Sequence, residues 1–403
     1  MNIFYKIYCR VFQTVFKLAI PLLPYRDPKL MSIVDDLPRQ LKEKKIQSVL
    51  IVTDETLHRL GMIDKLKSKL SGEKIKYTVY DKTVPNPTVR NVEEARALYI
   101  QNNCKALIGF GGGSAIDCAK AVGARIARPN KSIPKMRGIL KVMRPLPFLV
   151  AIPTTSGTGS EVTLATVITD KDSGHKFPIN DFPLIPQAAV LDAENTKSMP
   201  LSMTSTTGMD ALTHAVEAYI GRSTTRSTRK DAADAVHLIF ENLETAYNDG
   251  NNTEAREKMM RASFLAGRAF SKSYVGYVHA VAHSLGGQYN IPHGLANAVL
   301  LPVVLEEYGE SVHKKLHKLA VVAGVALESD SHEEAANKFI AAIKGMNARM
   351  NIPKTLDGIK KNDIPVMAKH AAKEANPLYP VPVLMSAREL EKFYVKIADW
   401  SKA

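Results

Sequence analysis

The chain has 403 residues, 45% of them hydrophobic and 23% charged, which are ordinary globular values in a chain too long for one small core. Its formal net charge is +14, but no basic stripe, aromatic platform or repeat accompanies that excess, so nucleic-acid binding is set aside; the sign suits an anionic cofactor or substrate. The three cysteines, Cys9, Cys104 and Cys118, are scattered without paired spacing, which excludes a disulfide framework and fits a reducing cytoplasm.

Residues 3–20 are rich in Phe, Tyr, Ile and Val, yet Lys6, Arg10, Gln13 and Lys17 recur every three or four positions. That pattern predicts a helix with one polar stripe on an otherwise greasy surface. The polar interruptions exclude a signal peptide, and no run reaches the about 18 apolar residues of a membrane span. The expected role is packing on this protein or on a partner subunit, with membrane-surface contact as the less favoured alternative.

From about residue 45, short β-rich runs alternate with helical ones. Residues 46–53 read as a buried strand and 57–70 as one amphipathic helix. Strand 76–80 follows, then a turn at Pro85-Asn86-Pro87, helix 92–102, strand 106–110 and helix 115–127. Residues 148–153, 165–169 and 188–192 are further strands. Alternation of this kind predicts a mainly parallel α/β sheet.

Two loops in this half carry chemistry. Gly111-Gly112-Gly113-Ser114 links a strand directly to a helix, where bare backbone and free helix N–H groups favour a phosphate. Ser114 and Asp117 also read as a Ser-x-x-Asp capping pair. The second loop, Pro153-Thr154-Thr155-Ser156-Gly157-Thr158-Gly159-Ser160-Glu161, is dense in hydroxyls suited to a pyrophosphate or ribose. Asp54, just past the first strand, is placed to accept from an adenosine ribose diol, and its charge favours NAD over NADP. Asp54 precedes the glycines by more than 50 positions, so the usual dinucleotide fingerprint does not apply.

Beyond Pro200 nearly every segment repeats at three to four residues, the spacing of helices. Asp210 and His214 stand four apart and project from one helix face. His279, His283 and His293 follow about 65 residues later. One carboxylate with imidazoles and no thiolate suits Fe(II) or Zn(II). The phrase His279-Ala280-Val281-Ala282-His283 lacks the glutamate that a zinc hydrolase places after its first histidine, so hydrolysis is disfavoured. The expected organisation is an amphipathic N-terminal helix (1–24), an α/β dinucleotide-binding domain (25–198) and an all-helical metal-binding domain (199–403), with the site in the cleft between the last two.

The blocks GGGSAIDCAK, PTTSGTGSEVT, His175-Lys176-Phe177-Pro178, GMDALTHAVEAY and HAVAHSLGGQYNIPHGLANAVLLP occur in this order over roughly residues 45–395. Together they resemble the signature blocks of the iron-containing (group III) alcohol dehydrogenases. The resemblance implies that Asp210, His214, His279 and His293 bind the metal, Fe(2+) or alternatively Zn(2+), and that His283 lies beside the substrate. It implies that Gly111, Gly112, Gly113, Ser114, Asp117, Thr154, Thr155, Thr158, Ser160 and Lys176 line an NAD(P) site, with Asp54 at the ribose. Ala115 stands where the family often has proline, and Ser156 where it has alanine. The expected activity is reversible, NAD-linked hydride transfer between a primary alcohol and an aldehyde, in a cytoplasmic homodimer. A polyol dehydrogenase, and a metal-dependent lyase on the scaffold of dehydroquinate synthase, are the alternatives.

Overall fold

The computed structural model describes residues 1–171 and 175–402. The chain forms two compact units, one of Pro24–Met199 and the other of Met1–Leu23 with Pro200–Ala403. Helix α1 (Ile3–Ala19) opens the chain and belongs to the second.

The Pro24–Met199 unit runs β1 (Lys29–Met31), α2 (Leu37–Glu43), β2 (Ser48–Val52), α3 (Glu55–Arg59), α4 (Asp64–Gly72), β3 (Lys76–Tyr80), α5 (Val89–Gln101), β4 (Ala106–Gly111) and α6 (Gly113–Ala127). Then come β5 (Gly138–Ile139), β6 (Phe148–Pro153), β7 (Ala165–Asp170), β8 (His175–Asn180) and β9 (Ala188–Val190). Among the described residues, six strands form a parallel sheet in the order β1-β9-β6-β4-β2-β3.

The sequence of β2 explains its burial. Successive side chains point to opposite faces of a strand. Val49 and Ile51 accordingly join the core with Leu37, Leu41, Leu66 and Leu70 of α2 and α4. Leu50 and Val52 join the other core, with Val92, Ala95, Ala119 and Val122 of α5 and α6. Helices cover both faces, so β2 is apolar from Val49 to Val52 rather than alternating.

Sheet order also locates a binding crevice. From β2 the chain first builds β3 on one side and then crosses back to build β4 on the other. At such a reversal, ligands bind beyond the carboxyl ends of the strands. Asp54 follows β2 and Gly112 follows β4, so both stand at that end of neighbouring strands.

Two local expectations are corrected, and one strand was not expected. Residues 57–70 are not one helix: α3 ends before Gly61, whose φ of 71° is a left-handed turn that glycine adopts without steric cost, and α4 starts afresh at Asp64. The 165–169 strand is β7, which leaves the parallel sheet for a second sheet of order β5-β8-β7, pairing antiparallel with β8. Strand β8 itself carries Pro178, a residue that argues against a strand; β5 pairs only with Ile179 and Asn180, so Pro178 sits where β7 is the bonded neighbour.

The other unit is helical apart from short turns and one isolated bridge: α7 (Leu201–Ile220), α8 (Arg226–Asn248), α9 (Thr253–Ser273), α10 (Tyr277–Tyr289), α11 (His293–Tyr308), α12 (Glu310–Val322), α13 (His332–Arg349), α14 (Ile364–Ala375) and α15 (Ala387–Ile397). One apolar cluster runs through all nine of these described helices, including Leu212, Ile239, Leu265, Val281, Leu300, Leu316, Phe339, Ala371 and Phe393. Helix α1 docks here through its polar stripe. The Gln13 amide donates to the carbonyls of Tyr379 (2.8 Å) and Pro377 (3.2 Å). The Arg10 guanidinium donates to those of Val381 (2.7 Å) and Pro382 (2.8 Å). Among the described residues no helix is long and apolar enough to cross a membrane.

Candidate metal centre

In the helical unit, α7 turns Asp210 and His214 to one side, because residues four apart share a helix face. Helix α10 supplies His279 and His283, and α11 begins at His293. One ligand atom from each of Asp210, His214, His279 and His293 lies within 4.8 Å of the others. His214 stacks between Phe270 and His279, with ring centroids 4.1 and 4.4 Å away.

The His279 imidazole is held in a defined protonation state. His279 Nδ1 lies 2.6 Å from Glu217 Oε2 and donates to it. Its Nε2 accepts from the Asn297 amide at 3.2 Å, so the lone pair faces the cluster. Burial holds the His279 pKa well below its ordinary value, which keeps the ring neutral, as a ligand must be. The Asn297 amide nitrogen also meets His293 Nε2 at 3.1 Å and Asp210 Oδ1 at 2.6 Å. Three acceptor atoms thus converge on one donor, an arrangement that favours positive charge.

Burial pushes the Asp210 carboxyl up to about 7, and the Asn297 bond only partly offsets it. A divalent cation would reverse that shift. The donor set therefore fits a borderline divalent metal: one carboxylate and three imidazoles, near enough for bonds of about 2 Å after a small inward movement. Asp210 and His279 are buried, whereas the side chains of His293 and His283 remain 35% and 36% exposed, so the cluster is open on that side.

Glu217 reaches His279 because residue 276 is glycine. A Cβ there would stand 2.6 Å from Glu217 Oε1. Without it the carboxylate accepts the Val278 N–H at 2.8 Å and anchors the first turn of α10. Burial raises the Glu217 carboxyl to about 7 against these backbone bonds.

His283 stacks on His293, with centroids 5.1 Å apart and an interplanar angle of 20°. Its Nδ1 lies 2.6 Å from Glu374 Oε1, which also accepts from the Tyr379 hydroxyl at 2.7 Å. Burial alone would raise the Glu374 carboxyl, but the charge and hydrogen bond of His283 with the Tyr379 bond leave it below the ordinary range. An ionised carboxylate only accepts, so Nδ1 is the donor in this bond, which leaves Nε2 as the ring nitrogen able to exchange a proton.

In the α/β unit, Gly111 ends β4 and Gly112 precedes α6. Asp54 is half-exposed and caps α3, accepting the Leu57 N–H at 3.0 Å. The Thr154 N–H donates to the Gly111 carbonyl at 3.0 Å, and Thr155 packs against Gly112. Thr158 Oγ1 accepts the Ser160 N–H at 3.2 Å. The Ser114–Asp117 capping pair does not form. Helix α6 starts at Gly113 with Gly112 as its cap, so Ser114 lies inside the first turn. Its hydroxyl accepts the Asn86 N–H at 3.3 Å, while Asp117 accepts from the Ser160 hydroxyl at 2.6 Å and the Val167 N–H at 2.9 Å. Lys176 Nζ donates to Asn86 Oδ1 at 2.6 Å. The structure thus gathers Ser114 and Lys176 about Asn86, with Asp117 and Ser160 bonded to each other.

Two family models match the chain: "Iron-containing alcohol dehydrogenase" over residues 32–193 and "Fe-containing alcohol dehydrogenase family, C-terminal" over residues 204–397. The 1,3-propanediol dehydrogenase of Klebsiella pneumoniae is 38% identical over 366 residues, covering 90% of this chain and 94% of that protein. The chain belongs to the iron-containing alcohol dehydrogenase family. Among solved structures of the family's fold, a 1,3-propanediol oxidoreductase superposes with a TM-score of 0.89 at 35% identity, over 93% of this chain and 99% of that one. The sulfoacetaldehyde reductase of Bifidobacterium kashiwanohense in complex with NAD+ superposes with a TM-score of 0.83 at 27% identity, over 93% and 98%.

Reading the sequence of this iron-containing alcohol dehydrogenase missed Glu217, Asn297, Glu374 and Asn86. Two of these left a signal. Glu217 lies seven residues after Asp210, and Asn297 four after His293, spacings that keep each on the ligand face of its helix. Glu374 comes from α14, 91 residues beyond His283, and no local pattern links them.

Proposed function

We propose that this chain is an NAD-linked alcohol dehydrogenase of the iron type, interconverting a short primary alcohol and its aldehyde. The observation that carries the reading is the convergence of Asp210, His214, His279 and His293 beside a half-buried His283, in a chain of this family. These four residues would hold Fe(2+), and the borderline donor set would also accept Zn(2+). When bound, the ion supplies Lewis acidity toward an alcohol or carbonyl oxygen, and the nicotinamide accepts or returns the hydride.

The chain's own side chains perform the remaining work. Asp210 lowers the net charge of the centre, while Glu217 fixes the His279 tautomer and ring plane. His283 takes up the hydroxyl proton at Nε2 in oxidation and returns it in reduction, and Glu374 at Nδ1 stabilises the charge the ring acquires. In the α/β unit, Gly111–Ser114 and the Thr154–Ser160 loop would receive the pyrophosphate, and Lys176 would add a positive charge beside Asn86. Asp54 would accept from the ribose diol and repel a 2′-phosphate, which is why NAD is proposed over NADP. A homodimer and a cytoplasmic location complete the reading.

The experiment is a nicotinamide absorbance assay of protein reconstituted anaerobically with iron(II), using short primary alcohols, terminal diols and their aldehydes. The proposal predicts net NADH from alcohols and net NAD+ from aldehydes, both abolished by chelation. Turnover without net change in the nicotinamide would support the lyase instead.

A further inference from the structure

Helix α1 is mounted with its polar side inward. Cys9 and Gln13 are buried, and Arg10 and Gln13 grip the carbonyls of residues 377–382. At 100° per residue, the opposite half of the helix carries Ile3, Phe4, Ile7, Tyr8, Val11, Val15 and Leu18, all exposed. Phe4 and Leu18 are 76% and 72% open, and Leu22 just beyond is 87% open. A helix that packed only for its own stability would bury that face and show the stripe to water. A contiguous apolar strip of this kind marks an interaction surface. It also lies outside the stretches matched by the family models, which begin at residue 32.

Charge decides the occupant. Residues 1–26 contain Lys6, Arg10, Lys17 and Arg26 and no acidic residue, in a chain of net charge +14. Near the carboxyl end of α1, Arg222, Arg229 and Lys17 lie close enough to act on Lys315; burial first, then these cations, pulls its ammonium down to about 8. Glu389 is the acidic neighbour at the other end, beside Lys6. A second copy docked on this face would bring the two basic collars together. An anionic bilayer instead satisfies both features, taking the apolar strip into its acyl boundary and the exposed Lys17 and half-buried Lys6 at the edge of the stripe into its headgroups. Phe4 and Tyr8, both on the open face, are residue types that settle at that boundary.

We propose that α1 is an in-plane anchor that seats this enzyme on the surface of a membrane rich in anionic lipid. The helix lies flat rather than spanning, and the polar stripe that holds it to the helical unit makes it part of the folded protein. Each basic group at the surface strengthens binding about fivefold, so the attachment is salt-sensitive.

The test is flotation of the full chain with vesicles of phosphatidylglycerol and phosphatidylcholine in equal parts, against phosphatidylcholine alone. The protein is expected to float with the mixed vesicles, to remain below with the neutral ones, and to be released several-fold by about 1 M salt. The variant Val11→Ser/Val15→Ser/Leu18→Ser, changed only at exposed positions, is expected to stay below while keeping its melting temperature. A parent that fails to float with mixed vesicles overturns the proposal, as does a variant that floats equally well. So does a parent dimer that the same substitutions split into monomers, since a second copy would then be the occupant. None of these readouts depends on the dehydrogenase reading.

Discussion

The Glu217 carboxylate accepts the Nδ1 proton of His279 at 2.6 Å, deep in the helical unit, and thereby sets which nitrogen of that histidine faces the metal centre. Glu217→Gln would replace an acceptor with an amide that cannot accept from both His279 and the Val278 N–H in the same way. The expected outcome is a 10–100-fold weaker affinity for iron(II) or zinc(II), roughly the effect of losing such a partner. Metal titration of the stripped protein measures it. Unchanged affinity would show that the ring is oriented by packing alone.

His283→Ala should lower kcat by about 10²–10⁴ while leaving the bound metal in place, because the ring is assigned to the proton rather than to the ion. Metal content and steady-state rates on the same sample separate the two roles. Loss of the ion would make His283 a ligand.

Asp54→Gly removes the charge expected to repel a 2′-phosphate, and with it the cap of α3. The ratio of kcat/KM for NAD over NADP should fall by about tenfold or more, as one lost charge interaction of about 1.4 kcal/mol allows. Glycine is itself a fair N-cap, so losing this cap should cost only about a few tenths of a kcal/mol of stability. An unchanged cofactor ratio would confine Asp54 to capping.

Glu161 is buried in the α/β unit with its carboxyl raised to about 7, chiefly by desolvation and against the charge of Lys120. Its folded value lies above its unfolded one, so its stabilising protonation is complete below about pH 4.5 and is lost as pH rises through about 7. Glu161→Gln should flatten that part of the stability profile, by at most about 3 kcal/mol. Melts of both proteins at about pH 5 and pH 8 read the difference. Parallel profiles would place the titration elsewhere.

Much of this was legible in the sequence, for physical reasons that differ from element to element. The pair Asp210 and His214 could be seen because helix periodicity turns a spacing of four into a shared face. The buried strand β2 could be seen because a sheet covered on both sides needs an unbroken apolar run. Strand β8 was hidden by Pro178, and the break between α3 and α4 by a single glycine inside an otherwise helical pattern. Asp117 was misassigned because Ser-x-x-Asp caps a helix only when the serine sits at its boundary, and Gly112 took that place. The partnership of His283 with Glu374 depends on how α10 and α14 pack, which no local spacing encodes. The direction in which α1 presents its apolar face depends likewise on the carbonyls of residues 377–382.

The most direct test of the central claim is anomalous diffraction at the iron edge from crystals grown with anaerobically reconstituted protein. The account predicts one ion per chain, about 2.0–2.2 Å from a carboxylate oxygen of Asp210 and from a ring nitrogen of each of His214, His279 and His293, with His283 outside bonding distance. An ion bound elsewhere, or active protein with nothing between those four side chains, would contradict it.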